Sequence, residues 1–120
     1  MKYMIMMFGS AEEMMSVQSP EWITEMIAFM MTLNDELTAS GEFVEARGLV
    51  DGSQAKTVSL AADGTVVTTD GPYAEAKESI VGYWVVDVAD EARAVEICGR
   101  IVKYARSVEL RQVPDAPPEM

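Results

Sequence analysis

Apolar positions along the chain recur at two spacings, and the changes between them divide it into elements. Residues 2 to 8 (KYMIMMF) are apolar at both parities and end at Gly9 and Ser10, which predicts a strand covered on both faces. Ser19-Pro20-Glu21 is a helix start, with a capping hydroxyl, a proline at the first helical position and an acid in the first turn. From about residue 20 to Ser40 the positions Ile23, Met26, Ile27, Met30, Leu33 and Leu37 follow the helical repeat, and Gly41 is placed to end it. The methionines of this stripe read as core rather than as a flexible ligand surface.

Residues 43 to 49 alternate, with Val44 and Ala46 on one side and Phe43, Glu45 and Arg47 on the other, the period of a strand. Lys56 to Leu60 and Thr65 to Thr69 flank Ala61-Ala62-Asp63-Gly64 and predict a β-hairpin, polar enough to lie at a sheet edge. Residues 80 to 88 (IVGYWVVDV) offer no polar face to water, which makes that strand central. Asp90 caps a second helix that runs to about Tyr104 on a stripe of Ala94, Val95, Cys98, Ile101 and Val102, so Cys98 reads as a buried structural thiol. Residues 107 to 113 alternate again; Pro114, Pro117 and Pro118 then end regular structure and leave 114 to 120 as a tail.

With the hairpin set aside as an insertion, the order strand, helix, strand, strand, helix, strand is the split βαβ of a ferredoxin-like α+β domain over residues 1 to 113. Two helices cover only one face of such a sheet. If Ile80, Gly82, Trp84, Val86 and Val88 point at the helices, then Val81, Tyr83 and Val85 point away, beside Phe43 and one parity of the first strand. An apolar area of that extent is more than a soluble monomer usually exposes. The expected cover is a second copy of the chain, giving a homodimer of the dimeric α+β barrel type, since the 55 to 69 hairpin is too polar to seal the face.

Charge and composition narrow the partners. Twenty acidic residues against nine basic ones give a net charge of −11, which repels phosphate backbones and anionic lipid headgroups and argues against nucleic-acid and membrane binding. The apolar run from Tyr3 to Phe8 suits neither a signal peptide nor a membrane span, so a soluble, cytoplasmic protein is expected. The chain has no histidine and one cysteine, which excludes Ser-His-Asp and Cys-His machinery, an intrachain disulfide and a Cys-rich metal site. No metal-ligand spacing, dinucleotide fingerprint or P-loop is present, and no cofactor is expected.

The stretch Asp70-Gly71-Pro72-Tyr73-Ala74-Glu75-Ala76-Lys77-Glu78, after Val66-Val67-Thr68-Thr69 and before Gly82-Tyr83-Trp84, resembles the signature of the YCII-related proteins, in the branch named for its Asp-Gly-Pro-Phe motif. Tyr73 stands where that motif has Phe. The opening Met1-Lys2-Tyr3-Met4, Gly48-Leu49 and the closing Val108-Glu109-Leu110-Arg111 are similar to that family as well, so the resemblance spans nearly the whole chain. It implies a ferredoxin-like, dimeric α+β barrel and brings no known reaction; some members accompany sigma-type transcription factors. The His-Asp pair proposed for the broader group cannot be carried over to a chain without histidine, although Asp70 occupies the motif's acidic position.

Two constellations are candidates for chemistry. In the first, Asp70, Tyr73 and Lys77 line the mouth of a cavity, with Asp70 as catalytic acid/base or acceptor and Lys77 binding an anionic group; the plainer role of this stretch is a rigid turn braced by Asp70. In the second, Glu45, Arg47, Tyr83, Asp87, Glu109 and Arg111 share the parity that faces away from the helices. There they form either cross-strand ion pairs at a rim or, with Phe43, Val81 and Val85 as walls, a small-molecule pocket. Arg47, Tyr73, Lys77, Tyr83, Asp87 and Arg111 are the candidate ligand-binding residues. Two classes of function follow: a small-molecule binder or histidine-free acid/base enzyme using a cavity at the dimer sheet interface, and a non-catalytic module that docks on another protein such as a transcription factor.

Overall fold

The computed structural model describes residues 1–72 and 79–117. The chain runs through β1 (Lys2–Phe8), α1 (Ala11–Val17), α2 (Pro20–Ser40), β2 (Phe43–Gly48), β3 (Lys56–Leu60), β4 (Val66–Asp70), β5 (Ile80–Asp87), α3 (Glu91–Ala105) and β6 (Val108–Val113). β2, β5, β1 and β6 form an antiparallel sheet in that order, so β5 and β1 are its central strands. This is the α+β, ferredoxin-like arrangement that the element order predicts. No helix among the described residues is long and apolar enough to cross a membrane.

The helix ends form where the sequence places them. Ser19 Oγ accepts from the Trp22 N–H, and Pro20 opens α2. Gly41 closes α2 at φ 80°, a left-handed backbone in which its N–H reaches the Leu37 and Thr38 carbonyls. Asp90 caps α3 by accepting from the Arg93 N–H.

One side of the sheet meets α2 and α3 in a continuous core. Tyr3 and Ile5 of β1 and Trp84 and Val86 of β5 pack there with Leu33, Leu37, Ala94, Ile97 and Ile101, all buried. The Trp84 indole N–H, which would be costly to bury unpaired, donates to Asn34 Oδ1 of α2 at 2.7 Å. At the other end of the core the Arg93 guanidinium donates through two nitrogens to both oxygens of Glu42, each at 2.9 Å, and ties α3 to the turn after α2. Cys98 is buried on α3 as expected, and burial pushes its thiol pKa up, as for an inert structural thiol.

Four features depart from the pattern. The short helix α1 has no counterpart in the expected elements; Ser10 caps it by accepting from the Glu13 N–H. A bulge between Phe43 and Glu45 puts two residues of β2 against one step of β5, so Phe43 packs on the helix side with Ala46 while Glu45 and Arg47 stay on the other side. Phe43 therefore cannot wall a pocket on the outer face. The hairpin β3–β4 pairs only with itself, as a separate two-stranded sheet rather than at an edge of the main one, because the 3-10 turn Gly52–Gln54 redirects the chain first. Finally, Ile27 and Val95 are 49% and 54% exposed, while Ile97, outside the predicted stripe, is buried.

Candidate functional site

The outer face of the sheet carries an apolar centre and charged margins. Pairing register aligns Arg47 of β2 with Tyr83 of β5, Met6 of β1 and Glu109 of β6. The adjoining outward-facing row is Glu45, Val85, Met4 and Arg111. Each edge strand thus bears one Glu and one Arg, in opposite senses. Arg47 Nε lies 3.5 Å from Glu45 Oε1, and Arg111 Nε lies 2.8 Å from Glu109 Oε2. Tyr83, Val85, Met4 and Met6 between them are half-buried.

The structure therefore brings Arg47 and Tyr83 together as register neighbours and sets Arg111 across the same face, as the strand parity predicts. Asp87 lies at the end of β5, where its carboxylate accepts from the N-terminal ammonium of Met1 at 3.0 Å. It is not gathered with Tyr83. Asp70 is not on the sheet: it is the last residue of β4, exposed, and paired across the hairpin with the Lys56 ammonium. The turn after it is held by other groups, with the Gly71 N–H on the Ala55 carbonyl at 2.8 Å and the Thr57 hydroxyl on the Gly71 carbonyl at 2.9 Å. Gly71 itself sits at φ 110°, a conformation that a Cβ would strain. Tyr73 and Lys77 lie outside the described residues. Among the described residues no group of three or more His, Cys, Asp or Glu is placed to hold a metal ion.

A concavity that the sequence did not reveal opens on the opposite side of the sheet. It is a cavity of about 260 Å³ between the sheet and all three helices, with Met7, Met14, Met30, Phe29, Trp84 and Ile101 among its walls. α1 closes one side, and Asp51 anchors α1 from the loop after β2. The Asp51 carboxylate accepts from the Glu12 N–H, the Ser53 N–H and the Ser10 hydroxyl, each at 3.0 Å. Those donors, the two backbone N–H groups foremost, hold its carboxyl far below the ordinary carboxylate range. No local sequence signal marks this cavity, because its walls come from several elements that are distant along the chain.

The family model described as YCII-related domain matches residues 1–115. No curated protein matches the chain.

Proposed function

The chain belongs to the YCII-related domain family, and from that membership and the outer sheet face we propose that it is a homodimer that binds a small molecule in a cavity between the two facing sheets. The antisymmetric charge pattern of the edge strands carries this reading. A two-fold axis along the strands sets Arg47 over Glu109 of a second copy and Glu45 over its Arg111. An axis across the strands sets Arg47 over Glu45 and Glu109 over Arg111. Either way opposite charges meet around an apolar centre, which is what a self-complementary interface needs.

Between sheets stacked about 10 Å apart, Tyr83, Arg47 and Arg111 are the polar groups available to a ligand. Asp70, the candidate for an acid/base step, stands at the end of β4, paired with Lys56, and not on this face. A cytoplasmic site of action fits the acidic, cysteine-poor composition. A second reading, a module that docks on another protein, draws support from the hairpin, where Val58, Leu60 and Val66 are 63%, 72% and 67% exposed.

Light scattering at micromolar concentration tests the first reading. The expected mass is twice the 13.1 kDa of one chain. A monomer, together with no binding from a metabolite screen that Tyr83→Phe or Arg111→Ala abolishes, would overturn it.

A further inference from the structure

The cavity on the helix side continues into a second, more open hollow of about 580 Å³. The two share Gly9, Ser10, Met14, Tyr104 and Arg106, so the first is an inner chamber and the second its vestibule. Their chemistry differs sharply. The chamber is walled by methionine and aromatic side chains, with Phe29 and Tyr104 ring centroids 4.9 Å apart, and on the vestibule side Trp22 stands edge-on to Tyr104 at 5.6 Å. The vestibule adds Lys103 to the shared Arg106.

Those two cations stand out in a chain with a net charge of −11. Arg47, Lys56, Arg93, Arg100 and Arg111 are all engaged in ion pairs. Among the described residues only Lys2, Lys103 and Arg106 have no such partner, and two of these three flank the mouth of the apolar chamber. Glu13 shares the vestibule, so its field suits a ligand with a single negative charge better than a polyanion.

The backbone at Arg106 adds a second observation. It lies at φ 65° and ψ −52°, and the Ser107 N–H donates to the Ala105 carbonyl at 2.7 Å, the geometry of a γ-turn that a non-glycine residue adopts only under strain. Glycine would fit there without cost. Arg106 nonetheless occupies this position, where it lines both chamber and vestibule.

We propose that chamber and vestibule form a binding site for a small aromatic monocarboxylate, its ring among the methionine and aromatic walls and its carboxylate facing Arg106 and Lys103. The site lies on the sheet face opposite the proposed dimer cavity and does not depend on it. An apolar cavity of about 150 Å³ accommodates benzene, so the chamber's 260 Å³ suits a ring with a substituent or a fused pair. Methionine walls adapt to such shapes.

Calorimetric titration of the full chain with 2-naphthoate, its neutral amide and octanoate tests the proposal. Naphthoate is expected to bind about tenfold or more tightly than the amide, the difference a charge-assisted contact makes, and more tightly than octanoate. Arg106→Gly, which relieves the backbone strain and so keeps or raises the melting temperature, should remove the preference for naphthoate over the amide. Met14→Trp, which fills the chamber from α1, should abolish binding of both. Equal affinity for naphthoate and amide, tighter binding of octanoate, naphthoate affinity unchanged in Arg106→Gly, or no binding of naphthoate would each overturn the proposal. Loss of the dimer alone would leave it standing.

Discussion

The two sides of the same central strand make the instructive comparison. On β5, Gly82, Trp84 and Val86 are buried against the helices, while Tyr83 and Val85, hardly more polar, are only half-buried on the other side. Strand chemistry is alike on both faces; the cover is not. α2 and α3 fill the first face except for the chamber at one end, and the second keeps an apolar centre inside charged margins. A face that is apolar without cover from its own chain is read as a surface awaiting a partner, whereas a cavity inside the covered face is read as a place for something small.

The largest effect expected from breaking this comparison is on the covered side. Leu37, with no exposed surface, should cost about 2–5 kcal/mol on Leu37→Ala, measured by chemical denaturation. On the open side, Val85→Glu should leave circular dichroism and the fold intact while halving the mass by light scattering, since the charge is tolerated in water but not in a closed seam. An unchanged dimer would show that the copies meet elsewhere.

A smaller effect concerns the pair that ties α3 to the end of α2. The Arg93 guanidinium holds the Glu42 carboxyl below its ordinary value, against the opposing effect of burial. Glu42→Gln should cost about 1–3 kcal/mol at neutral pH. The contribution is fully present above the unfolded-chain pKa of about 4.3 and is lost as pH falls through the lower folded value, so variant and wild type should converge in acid melts. The smallest effect is at Asp70, where the exposed pair with Lys56 predicts a change of less than about 1 kcal/mol for Asp70→Asn. A larger loss would show that the carboxylate braces the hairpin.

These contrasts also mark what the sequence could reveal. Parity along residues 82 to 86 was legible because a central strand repeats every second residue, and it put Tyr83 on the outward face; the same period put Arg47 and Arg111 there. Phe43 was misplaced because a bulge leaves no trace in an alternating pattern: it adds one residue, and every side chain before it changes face. The helix α1 escaped notice because its seven residues are too few to show a period. Its anchor, Asp51, lies 39 positions from the Glu12 N–H that it holds. The hairpin's strands were legible and its position was not, since a strand's sequence does not name the edge it joins. The chamber was the least legible feature, because a void is a property of packing among side chains brought together from several elements.

The outline of the molecule, 51 by 46 by 19 Å between backbone extremes, carries a consequence for how it moves in solution. A slab of this kind drags more solvent than a sphere of its mass, and the hairpin that stands apart from the main sheet adds to the drag. Stacking two slabs face to face doubles only the thin dimension. The pair would then be rounder than either half, so association would lower the frictional ratio even as it doubled the mass, and sedimentation would speed up by more than the mass alone requires.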